Sequence, residues 1–557
     1  MANDAKRILI VGGVAGGASC AARARRLCER CEIILFDRGP FVSFANCGLP
    51  YYVGDVIADE SKLLVATPEL FKKRFNIEVR TQTEVTAIDP QRRVIEFEEL
   101  ETGRTGTETY DALVLAPGAR AVRPPIEGID LPGIFVVRTI PDSRRIREAV
   151  EGASSAVVVG AGFIGLEMAE NLARRGLEVT IIELADQVLP PLDREMARFI
   201  ERHLRANGVR LRLASGVEAF ERGPDGRLIV RSGGGDRMAA DLAILAIGVR
   251  PETALAEQAG LAIGPRGGIE VDEHMRTSDE RIWAVGDAVE VTDVVTGAVG
   301  PLPLAGPANR QGRIAAANVL RELGMCRSPA GESTFRGVQA TAVCGVFGLT
   351  VAMTGASEKS LERAGITAYE KVYLHPGSHA GYFPGAKPIH MKLLFSTDDG
   401  RVLGAQAVGE EGAERRVDVI AMAIQMGASV FDLEEAELCY APQFGAAKDP
   451  VNIAGMIAAN RMRGDLALAR WEELEETGAL ILDVRTEAEF ERGHIPGSVN
   501  IPLEQLRSRL DELPGDREIW LVCGVGQRAY YATRALTQRG LSARVLPGGM
   551  QTYEVFS

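Results

Sequence analysis

The chain has 557 residues, of which 46% are hydrophobic and 25% are charged, and its formal net charge at pH 7 is −13. This length predicts several domains, and the composition is ordinary for a globular protein. The negative charge argues against nucleic acid as a bulk partner, and no apolar run of about 18 residues predicts a membrane span.

The N-terminus and the cysteines bear on the compartment. Residues 1–7 run directly into a predicted strand and lack the architecture of a signal peptide. Eight cysteines in a chain of this length are not a disulfide framework. We therefore expect a cytoplasmic protein with reduced thiols.

A first βαβ unit is predicted at the N-terminus. Its parts are a buried strand at residues 8–11, a glycine-rich loop at 12–17, a helix at 18–29 and a strand at 32–36. Gly12 and Gly17 fit a dinucleotide-binding loop, whereas Val14 holds the middle glycine position. Asp37 follows the second strand, at the place where a carboxylate accepts a hydrogen bond from a ribose.

A second βαβ unit matches the dinucleotide pattern more closely. Its parts are a strand at residues 157–159, a loop at 160–165, a helix to residue 175 and a strand at 179–182. Gly160, Gly162 and Gly165 form G-x-G-x-x-G, which lets the backbone approach a pyrophosphate at a helix N-terminus. Glu183 favours NADH, since it would repel a 2′-phosphate, although NADPH stays possible. Glycine-rich turns of an ordinary α/β domain are the alternative, but two such units favour two dinucleotide sites.

The rest of the chain divides by composition. The predicted segments are a strand that closes on Gly286 and Asp287 at residues 282–288, an α/β interface domain from about 334 to 451 with strands at 392–395 and 402–408 and a helix at 415–426, a linker at 458–465, and a final α/β unit of about 90 residues with strands at 479–484 and 519–522.

The order of these segments resembles the flavoprotein disulfide reductases. The resemblance implies that the first fold holds FAD, that the inserted second fold holds NAD(P)H, and that the Gly-Asp segment returns to the flavin. Asp287 would then reach the ribityl and phosphate region. Ala116 and Gly118 stand, with a proline between them, where the family usually has a Thr-Gly turn.

Cys47 is the first candidate redox residue. It lies in the segment SFANCGLPYY at residues 43–52, and no second cysteine is within five residues. A thiolate near a flavin can accept two electrons through sulfur, so Cys47 must pair with a sulfur from outside or oxidise to a sulfenic acid. A buried structural cysteine is the alternative.

This segment, after GGVAGG at residues 12–17, resembles the coenzyme A-disulfide reductases, and the resemblance covers residues 7 to about 455. It implies a mixed disulfide between Cys47 and CoA and basic residues at the CoA phosphates. The implied CoA contacts are Arg23, Arg26, Ser43, Asn46, Asn309 and Arg310. A solvated helix face is the alternative for the first two arginines.

The family resemblance also implies a set of cofactor contacts, and no metal site is predicted. The positions are Gly12, Gly13, Ala15, Gly16, Gly17, Asp37, Arg38, Ser43, Asn46, Val85, Ala116, Gly118, Gly160, Gly162, Phe163, Ile164, Gly165, Glu183, Gly248, Gly286, Asp287, Leu304 and Ala305.

Two tyrosines are implied to act across a homodimer. The segment CYAPQF at residues 439–444, with KDPVN at 448–452, matches the family's dimer-domain tyrosine motif. Tyr440 would reach Cys47 of the other subunit and donate a hydrogen bond or a proton to the leaving sulfur. HAGYFPG at 379–385 resembles the second tyrosine segment, with Tyr382 before Phe383 where the family often has two tyrosines. A buried core tyrosine is the alternative for both.

Cys523 opens the loop CGVGQR at residues 523–528, between a predicted strand and helix. Backbone N–H groups of such a loop favour an anionic thiolate or persulfide. Its six residues suit a carrier of sulfane sulfur, since a cysteine phosphatase needs one more residue. Residues 466–556 resemble the rhodanese domain, which implies Cys523 and Arg528 as catalytic residues. Asp483 and His494 are predicted as scaffold, and an inactive rhodanese-like domain is the alternative.

The expected architecture is α/β, with two Rossmann-like folds, an α/β dimerisation domain and a C-terminal rhodanese domain. The expected boundaries are 1–122 and 246–330 for the FAD-binding domain, 123–245 for the NAD(P)H-binding domain, 331–455 for the dimerisation domain, 456–465 for the linker and 466–557 for the rhodanese domain.

The whole chain resembles fusions of a CoA-disulfide reductase with a rhodanese domain, including NADH-dependent persulfide reductases. This implies that electrons pass from NADH through FAD to Cys47, which cleaves the S–S bond of a persulfide, polysulfide or CoA disulfide, and that Cys523 carries sulfane sulfur. One alternative is an NADH oxidase or peroxidase that uses Cys47 as a sulfenic acid. Another is a redox-sensing or scaffold protein with vestigial catalysis. The fused rhodanese argues against the first, and the intact loops and both cysteines argue against the second.

Overall fold

The computed structural model describes residues 5–325 and 333–556. The chain forms two compact units. The first contains the described residues up to Asp186 and those from Gly208 to Val338. The second contains Gln187–Asn207 and the described residues from Gln339 onward.

The first unit holds twenty strands and seven of the first eight helices. The strands are β1 Arg7–Val11, β2 Glu32–Phe36, β3 Glu78–Arg80, β4 Thr83–Asp89, β5 Val94–Glu99, β6 Arg104–Thr109, β7 Ala112–Leu115, β8 Ala119–Ala121, β9 Ile134–Val136, β10 Ser155–Val159, β11 Glu178–Ile182, β12 Arg210–Arg212, β13 Val217–Arg222, β14 Leu228–Ser232, β15 Arg237–Ala240, β16 Leu242–Leu245, β17 Val249–Pro251, β18 Ile282–Ala284, β19 Glu290–Thr292 and β20 Val299–Pro301. The helices are α1 Ala15–Leu27, α2 Leu49–Val53, α3 Pro68–Phe75, α4 Ile140–Val150, α5 Phe163–Arg174, α6 Arg194–Ala206 (which belongs to the second unit), α7 Ala254–Gln258 and α8 Ala305–Glu322.

Two five-stranded sheets with parallel ladders form the core of the first unit. Their strand orders are β18-β7-β1-β2-β3 and β12-β11-β10-β16-β9. Ile8, Leu9 and Ile10 of β1 are completely buried, as expected for a parallel strand that is covered on both faces. The carboxyl ends of adjacent parallel strands therefore meet at one edge of each sheet, which is where α/β folds bind ligands. Two three-stranded antiparallel sheets, β4-β5-β6 and β13-β14-β15, accompany them.

Helix α1 begins at Ala15, three residues before the predicted start. Gly16 and Gly17 lie in its first turn, although glycine usually weakens a helix. The reason is close packing: a Cβ on Gly17 would lie 1.9 Å from the Gly12 carbonyl oxygen, and one on Gly16 would lie 2.9 Å from Val285. Only glycine lets the helix begin this close to the strand and loop before it.

The second unit holds the remaining elements. The strands are β21 Ala342–Val346, β22 Leu349–Gly355, β23 Tyr369–Leu374, β24 Ile389–Ser396, β25 Val402–Gly409, β26 Leu480–Asp483, β27 Val499–Asn500, β28 Ile519–Val522 and β29 Ala543–Val545. The helices are α9 Glu358–Arg363, α10 Ala413–Gln425, α11 Val430–Glu435, α12 Pro450–Met462, α13 Glu487–Glu491, α14 Leu503–Leu506, α15 Gln527–Thr537 and α16 Gly549–Phe556. An antiparallel sheet, β21-β22-β25-β24-β23, and a parallel sheet, β27-β26-β28-β29, form its core.

The buried Lys392 joins helix α6 to the antiparallel sheet. Its Nζ lies 2.8 Å from Asp193 Oδ2 and 2.5 Å from Glu195 Oε1, and it also bonds to Glu358. Burial alone would lower the pKa of Lys392, but the surrounding acidic groups raise it well above its ordinary value. The three carboxylates have the mutual spacing of a metal site, yet the ammonium already lies among them.

The expected linker at 456–465 is largely helical. Helix α12 runs to Met462, and only residues 463–465 follow it before the next domain. Asp449 caps its start by accepting a hydrogen bond from the Val451 N–H, and Ala458 and Ala459 are completely buried. Most of the segment expected as a linker is therefore the second half of a packed, capped helix. Within residues 5–325 and 333–556, no helix has the length and apolar character that crossing a bilayer requires.

Candidate active site

The first glycine loop closes tightly after β1. Gly12 has a φ of +97°, and a Cβ there would lie 2.0 Å from the Ala116 carbonyl oxygen. Asp37, at the end of β2, accepts hydrogen bonds from the N–H groups of Gly13 and Gly39, both at 2.8 Å. Burial raises the pKa of Asp37 above its ordinary value, and these two N–H groups offset part of the rise.

The second glycine loop leaves open space at its middle position, Gly162, where the first loop has Val14. Gly160 has a φ of +102°, and a Cβ there would lie 2.4 Å from the Ala246 carbonyl oxygen. Gly165 packs α5 against the loop, whereas a Cβ on Gly162 would meet nothing within 4 Å. Glu183 accepts hydrogen bonds from the Ala161 N–H at 2.7 Å and the Ala185 N–H at 2.8 Å. The open middle position beside the N-terminus of α5 fits a pyrophosphate.

The structure brings the predicted segments to two sheet edges. Gly12, Ala116 and Gly286 follow β1, β7 and β18, which are neighbours in the first sheet. Gly160, Glu183 and Gly248 follow β10, β11 and β16 of the second sheet. The other predicted cofactor positions are Ala15, Gly16 and Gly17 in α1, Phe163, Ile164 and Gly165 in α5, the exposed Arg38 after β2, the buried Val85 in β4, Gly118 after β7, and Leu304 and Ala305 at the start of α8.

Two side chains that sequence reasoning missed hold the Gly286-Asp287 turn. Gln311 of α8 accepts a hydrogen bond from the Gly286 N–H at 2.7 Å. Arg138 lies 3.3 Å from Asp287 and donates to the Ala119 carbonyl at 2.9 Å. Neither residue lies in a recognisable motif, so their roles emerge only from the packing of β8, β18 and α8.

Cys47 lies in the short turn Asn46–Gly48 that leads into α2, and the residue is exposed. Partial burial of the thiol raises the pKa of Cys47, and the charges of Glu167 and Asp287 raise it further. Among the described residues, no hydrogen-bond partner reaches the buried Asn46 Oδ1. A buried polar atom without a partner indicates a place where a ligand supplies the hydrogen bond.

Glu167 is a further residue that the sequence did not single out. It lies in α5, and its Oε1 accepts a hydrogen bond from Tyr51 Oη at 3.2 Å. Burial raises the pKa of Glu167, even though the bond from Tyr51 works in the other direction. Its place in α5, just after the second glycine loop, was the available signal. Its contact with Tyr51 becomes visible only in the folded structure.

The predicted CoA contacts are spread over two helices and the Cys47 segment. Arg23 and Arg26 lie on α1, and Asn309 and Arg310 lie on α8, which packs against α1. Asn309 accepts a hydrogen bond from the Ser19 hydroxyl, and the guanidinium of Arg310 lies 5.1 Å from the ring centroid of Phe335. Ser43 ties its segment to the first loop, since its N–H donates to the Gly13 carbonyl at 2.7 Å.

The two predicted tyrosines of the second unit meet. Tyr382 Oη and Tyr440 Oη are 2.6 Å apart, and the residues are 75% and 48% exposed. The reading of either as a buried core tyrosine is therefore wrong. Arg416, which the sequence did not single out, holds their segments: it is buried and bonds to the Ser378 carbonyl at 2.8 Å and to Asp449 at 2.9 Å.

Cys523 has the predicted cradle. Its Sγ accepts hydrogen bonds from the N–H groups of Gly526 at 3.2 Å and Ala529 at 3.4 Å, and only 1% of the residue is exposed. Gly526 has a φ of +95°, which turns its N–H toward the sulfur. Helix α16 supports the loop from behind, because the Met550 N–H donates to the Cys523 carbonyl at 2.8 Å.

Arg528 is engaged by a residue that the sequence did not single out. Its two terminal nitrogens donate to the two carboxylate oxygens of Glu489, both at 2.7 Å. Glu489 also closes a capping box with Thr486 at the start of α13, and that T-x-x-E spacing was the available signal. Asp483 is completely buried and bonds to Arg485, and His494 stacks on Phe490, so the scaffold role of both stays a prediction with which these contacts agree.

Comparison with protein families covers most of the chain. Residues 6–312 match the family described as pyridine nucleotide-disulphide oxidoreductase, residues 341–449 match its dimerisation domain, and residues 469–555 match the rhodanese-like domain. An NADH oxidase of Methanocaldococcus jannaschii is 36% identical over 82% of this chain and 99% of that protein. A coenzyme A disulfide reductase of Staphylococcus haemolyticus is 32% identical over 81% of this chain and 98% of that protein.

Solved structures extend the similarity through the C-terminal domain. The reduced CoADR-RHD of Bacillus anthracis has a TM-score of 0.95 and 45% identity, and the match covers 99% of this chain and 98% of that one. The NAD-dependent persulfide reductase from A. fulgidus has a TM-score of 0.91 and 39% identity, with 98% and 100% covered. These matches confirm the predicted fold class. The chain therefore belongs to the pyridine nucleotide-disulphide oxidoreductases, a family that uses FAD and NAD(H), and it carries a C-terminal rhodanese domain.

Proposed function

We propose that this enzyme uses NADH to reduce persulfides, polysulfides or CoA disulfide at Cys47, and that Cys523 carries sulfane sulfur to it. The observation that carries the proposal is the presence in one chain of two unlike thiols. Cys47 is exposed and has no neighbouring cysteine, and Cys523 lies in a cradle of backbone N–H groups. Relatives named coenzyme A disulfide reductase and persulfide reductase support it.

The glycine loops fit the two nucleotides. FAD would lie at the first loop, near Asp37 and Asp287, and NADH would lie at the second, near Gly162 and Glu183. When bound, the two cofactors supply a hydride and pass two electrons to sulfur. The proposal keeps the NAD(P)H-binding domain at residues 123–245, inserted in the FAD-binding domain.

The proposed chemistry at Cys47 is thiol–disulfide exchange. The Cys47 thiolate attacks the CoA-bound sulfur of CoA persulfide, a Cys47–CoA disulfide forms, and the electron pair of the broken S–S bond leaves with HS⁻. With CoA disulfide the leaving group is the CoA thiolate. Two electrons and one proton then return Cys47 to the thiolate and release CoA as a thiol.

The tyrosine pair would donate the hydrogen bond that the leaving sulfur needs in this exchange. In a homodimer, Tyr440 would reach Cys47 of the other subunit and donate a hydrogen bond to the leaving sulfur, with Tyr382 fixing its hydroxyl. The 2.6 Å contact between the hydroxyls and the exposure of both residues support this role. The CoA phosphates would be held by Arg23, Arg26 and Arg310, and the pantetheine end by Ser43, Asn46 and Asn309.

Anaerobic turnover with NADH and CoA persulfide tests the role of Cys47. Cys47→Ser should lower sulfide release by about 1,000-fold or more, because serine cannot form the mixed disulfide. Cys439→Ser removes another exposed thiol and should keep the rate within about twofold. Mass measurement of the untreated enzyme should also show a reducible CoA adduct on the Cys47 peptide. Undiminished sulfide release by Cys47→Ser would contradict the proposal.

An NADH oxidase is the second candidate, because one relative carries that name. In that reaction Cys47 would cycle through a sulfenic acid, and Cys523 would have no part. NADH consumption that is faster with O2 than with CoA persulfide, and unchanged in Cys523→Ser, would favour the oxidase over the persulfide reductase.

A further inference from the structure

The loop around Cys523 carries one cationic side chain, and that side chain is already paired. Arg528 is its one cation, and both of its terminal nitrogens are bonded to Glu489 at 2.7 Å. Arg528 lowers the pKa of Glu489 to about 2, so the carboxylate stays ionised at any physiological pH. The charge of Glu504 also acts on Arg528, after those of Glu489 and Cys523. The guanidinium is therefore already neutralised before any substrate arrives.

Neighbouring basic side chains of the same domain are also engaged. Arg485 is bonded to the buried Asp483 at 2.6 Å and to the Gly493 carbonyl at 2.6 Å. Arg492 donates to the Ala488 carbonyl, and His494 stacks on Phe490 with ring centroids 3.9 Å apart. The groups that point to Cys523 Sγ itself are backbone N–H groups. These dipoles can stabilise one negative charge but carry no net charge themselves.

The possible sulfur donors differ in the charge they bring to this loop. When the Cys523 thiolate attacks the outer sulfur of a protonated persulfide, a Cys523–sulfur bond forms, the donor S–S bond breaks, and its electron pair leaves on the donor thiolate. The reacting group carries one negative charge throughout, or two if the persulfide is ionised. Thiosulfate brings two charges of its own and releases sulfite, so the reacting group carries three.

We propose that Glu489 is a specificity-determining residue that directs Cys523 toward persulfide sulfur and away from dianionic donors such as thiosulfate. The inference rests on the proposed sulfur-carrier role of Cys523. Because Cys523 is buried, charges near its sulfur interact more strongly than they would in water. Glu489 cancels the only loop cation that could hold a sulfonate. It also fixes the guanidinium of Arg528 through two hydrogen bonds.

The rate at which Cys523 gains one sulfur atom tests this inference in the full-length enzyme. The two probes are thiosulfate and pantetheine persulfide, and the readout is the mass of the peptide that contains Cys523. In Glu489→Gln, thiosulfate loading should rise about tenfold, the size of one pKa unit of charge interaction. Pantetheine persulfide loading should change less than about twofold, because the protonated persulfide that reacts adds no charge to that of the Cys523 thiolate.

Two variants separate charge from structure. Glu487→Gln removes an exposed carboxylate of the same short helix that has no bond to Arg528, and it should leave both rates unchanged. Glu489→Gln combined with Arg528→Gln removes both charges and should return the ratio of the two rates to that of the wild type. A merely structural role for Glu489 would not be reversed by the second change.

The wild-type enzyme gives an independent check if Glu489→Gln fails to fold. Thiosulfate loading should rise between about 0.05 M and about 0.5 M salt, because salt screens the repulsion, while persulfide loading stays level. Equal loading from both donors in the wild type, or an unchanged ratio in folded Glu489→Gln, overturns the inference and leaves the carrier role intact. Loading from neither donor overturns the carrier role and the inference with it.

Discussion

The two reactive thiols of this chain lie in opposite surroundings. The residue Cys47 is exposed, but its thiol is partly buried. This burial and the carboxylates of Glu167 and Asp287 raise the pKa of the thiol. Cys523 is buried, and two backbone N–H groups point to its sulfur. A reactive cysteine can therefore depend either on molecules that bind beside it or on backbone groups of its own fold. In the proposed function, Cys47 needs a cofactor, a substrate and a proton donor, whereas the N–H groups around Cys523 are already in place.

Replacing each cysteine in turn tests whether one thiol can take the place of the other. We expect Cys523→Ser to lose sulfur loading entirely and to keep NADH-dependent reduction of CoA disulfide within about twofold, because that reaction needs only Cys47. Cys47→Ser should show the reverse pattern, with loading of Cys523 retained. Mass measurement of the Cys523 peptide and anaerobic NADH consumption follow the two reactions separately. Loss of both reactions in either variant would show that the sites do not work independently.

A proton donor should matter at one thiol alone. Tyr440→Phe should lower NADH-dependent reduction of CoA disulfide about 100-fold, the lower end of what a positioned acid–base group contributes, and leave loading of Cys523 unchanged. Tyr531→Phe, which removes another exposed hydroxyl, is the control and should leave NADH-dependent reduction of CoA disulfide unchanged. Steady-state NADH consumption is the measurement. If Tyr440→Phe reduces CoA disulfide at the wild-type rate, the hydroxyl pair has no part in the exchange.

The Cys523 loop should respond to its backbone. Gly526→Ala should lower stability by about 1–2 kcal/mol, because alanine is strained at a φ of +95°, and should slow sulfur loading about fivefold as its N–H moves away from Sγ. Gly540→Ala has the same kind of strain at φ +82° in open space and should lower stability without slowing loading. Thermal unfolding and the mass of the Cys523 peptide are the readouts. Equal loading by both variants would show that the N–H groups around Sγ do not affect sulfur loading.

The last prediction concerns the free thiol of Cys47 after the enzyme has been reduced and separated from CoA. Since its pKa lies above the ordinary value, alkylation by iodoacetamide should rise about tenfold per pH unit through pH 8. Glu167→Gln removes a charge that disfavours the thiolate, so the pKa should fall and alkylation at pH 7 should be about threefold faster. Glu151→Gln, at an exposed position, is the control. A slower reaction in Glu167→Gln would give the opposite sign and exclude this electrostatic explanation.

Local patterns predicted the strands and loops at which we propose nucleotide and sulfur binding. Strands β2 and β28 have the predicted bounds, because runs of apolar β-branched residues that end in a loop allow few other structures. Helix α1 was predicted too late, since glycine propensity alone does not reveal that Gly16 and Gly17 are needed for packing. The helix through the expected linker was not predicted, because a capped helix can continue through polar residues.

The site partners were harder to predict, because each depends on contacts between distant segments. Arg138 and Gln311 fix the Gly286-Asp287 turn from other elements. Glu489 reaches Arg528 from 39 residues away. Sequence periodicity carries no information about such pairs. The exposure of Tyr382 and Tyr440 was likewise undecided by the sequence, since an aromatic residue in an apolar segment has the same pattern whether it is buried or faces a partner.

The position of helix α6 has a consequence for how the chain is made. Glu195 and its counter-ion Lys392 are separated by 197 residues. At about 5–20 residues per second, the ribosome completes α6 about 10–40 s before the lysine emerges. During that interval the apolar face of the helix, with Met196, Ile200 and Leu204, has no cover from the sheet that later buries it. A nascent or truncated chain that ends before residue 339 lacks the sheet that covers this face, so we expect the face to be open to chaperones and proteases until synthesis continues.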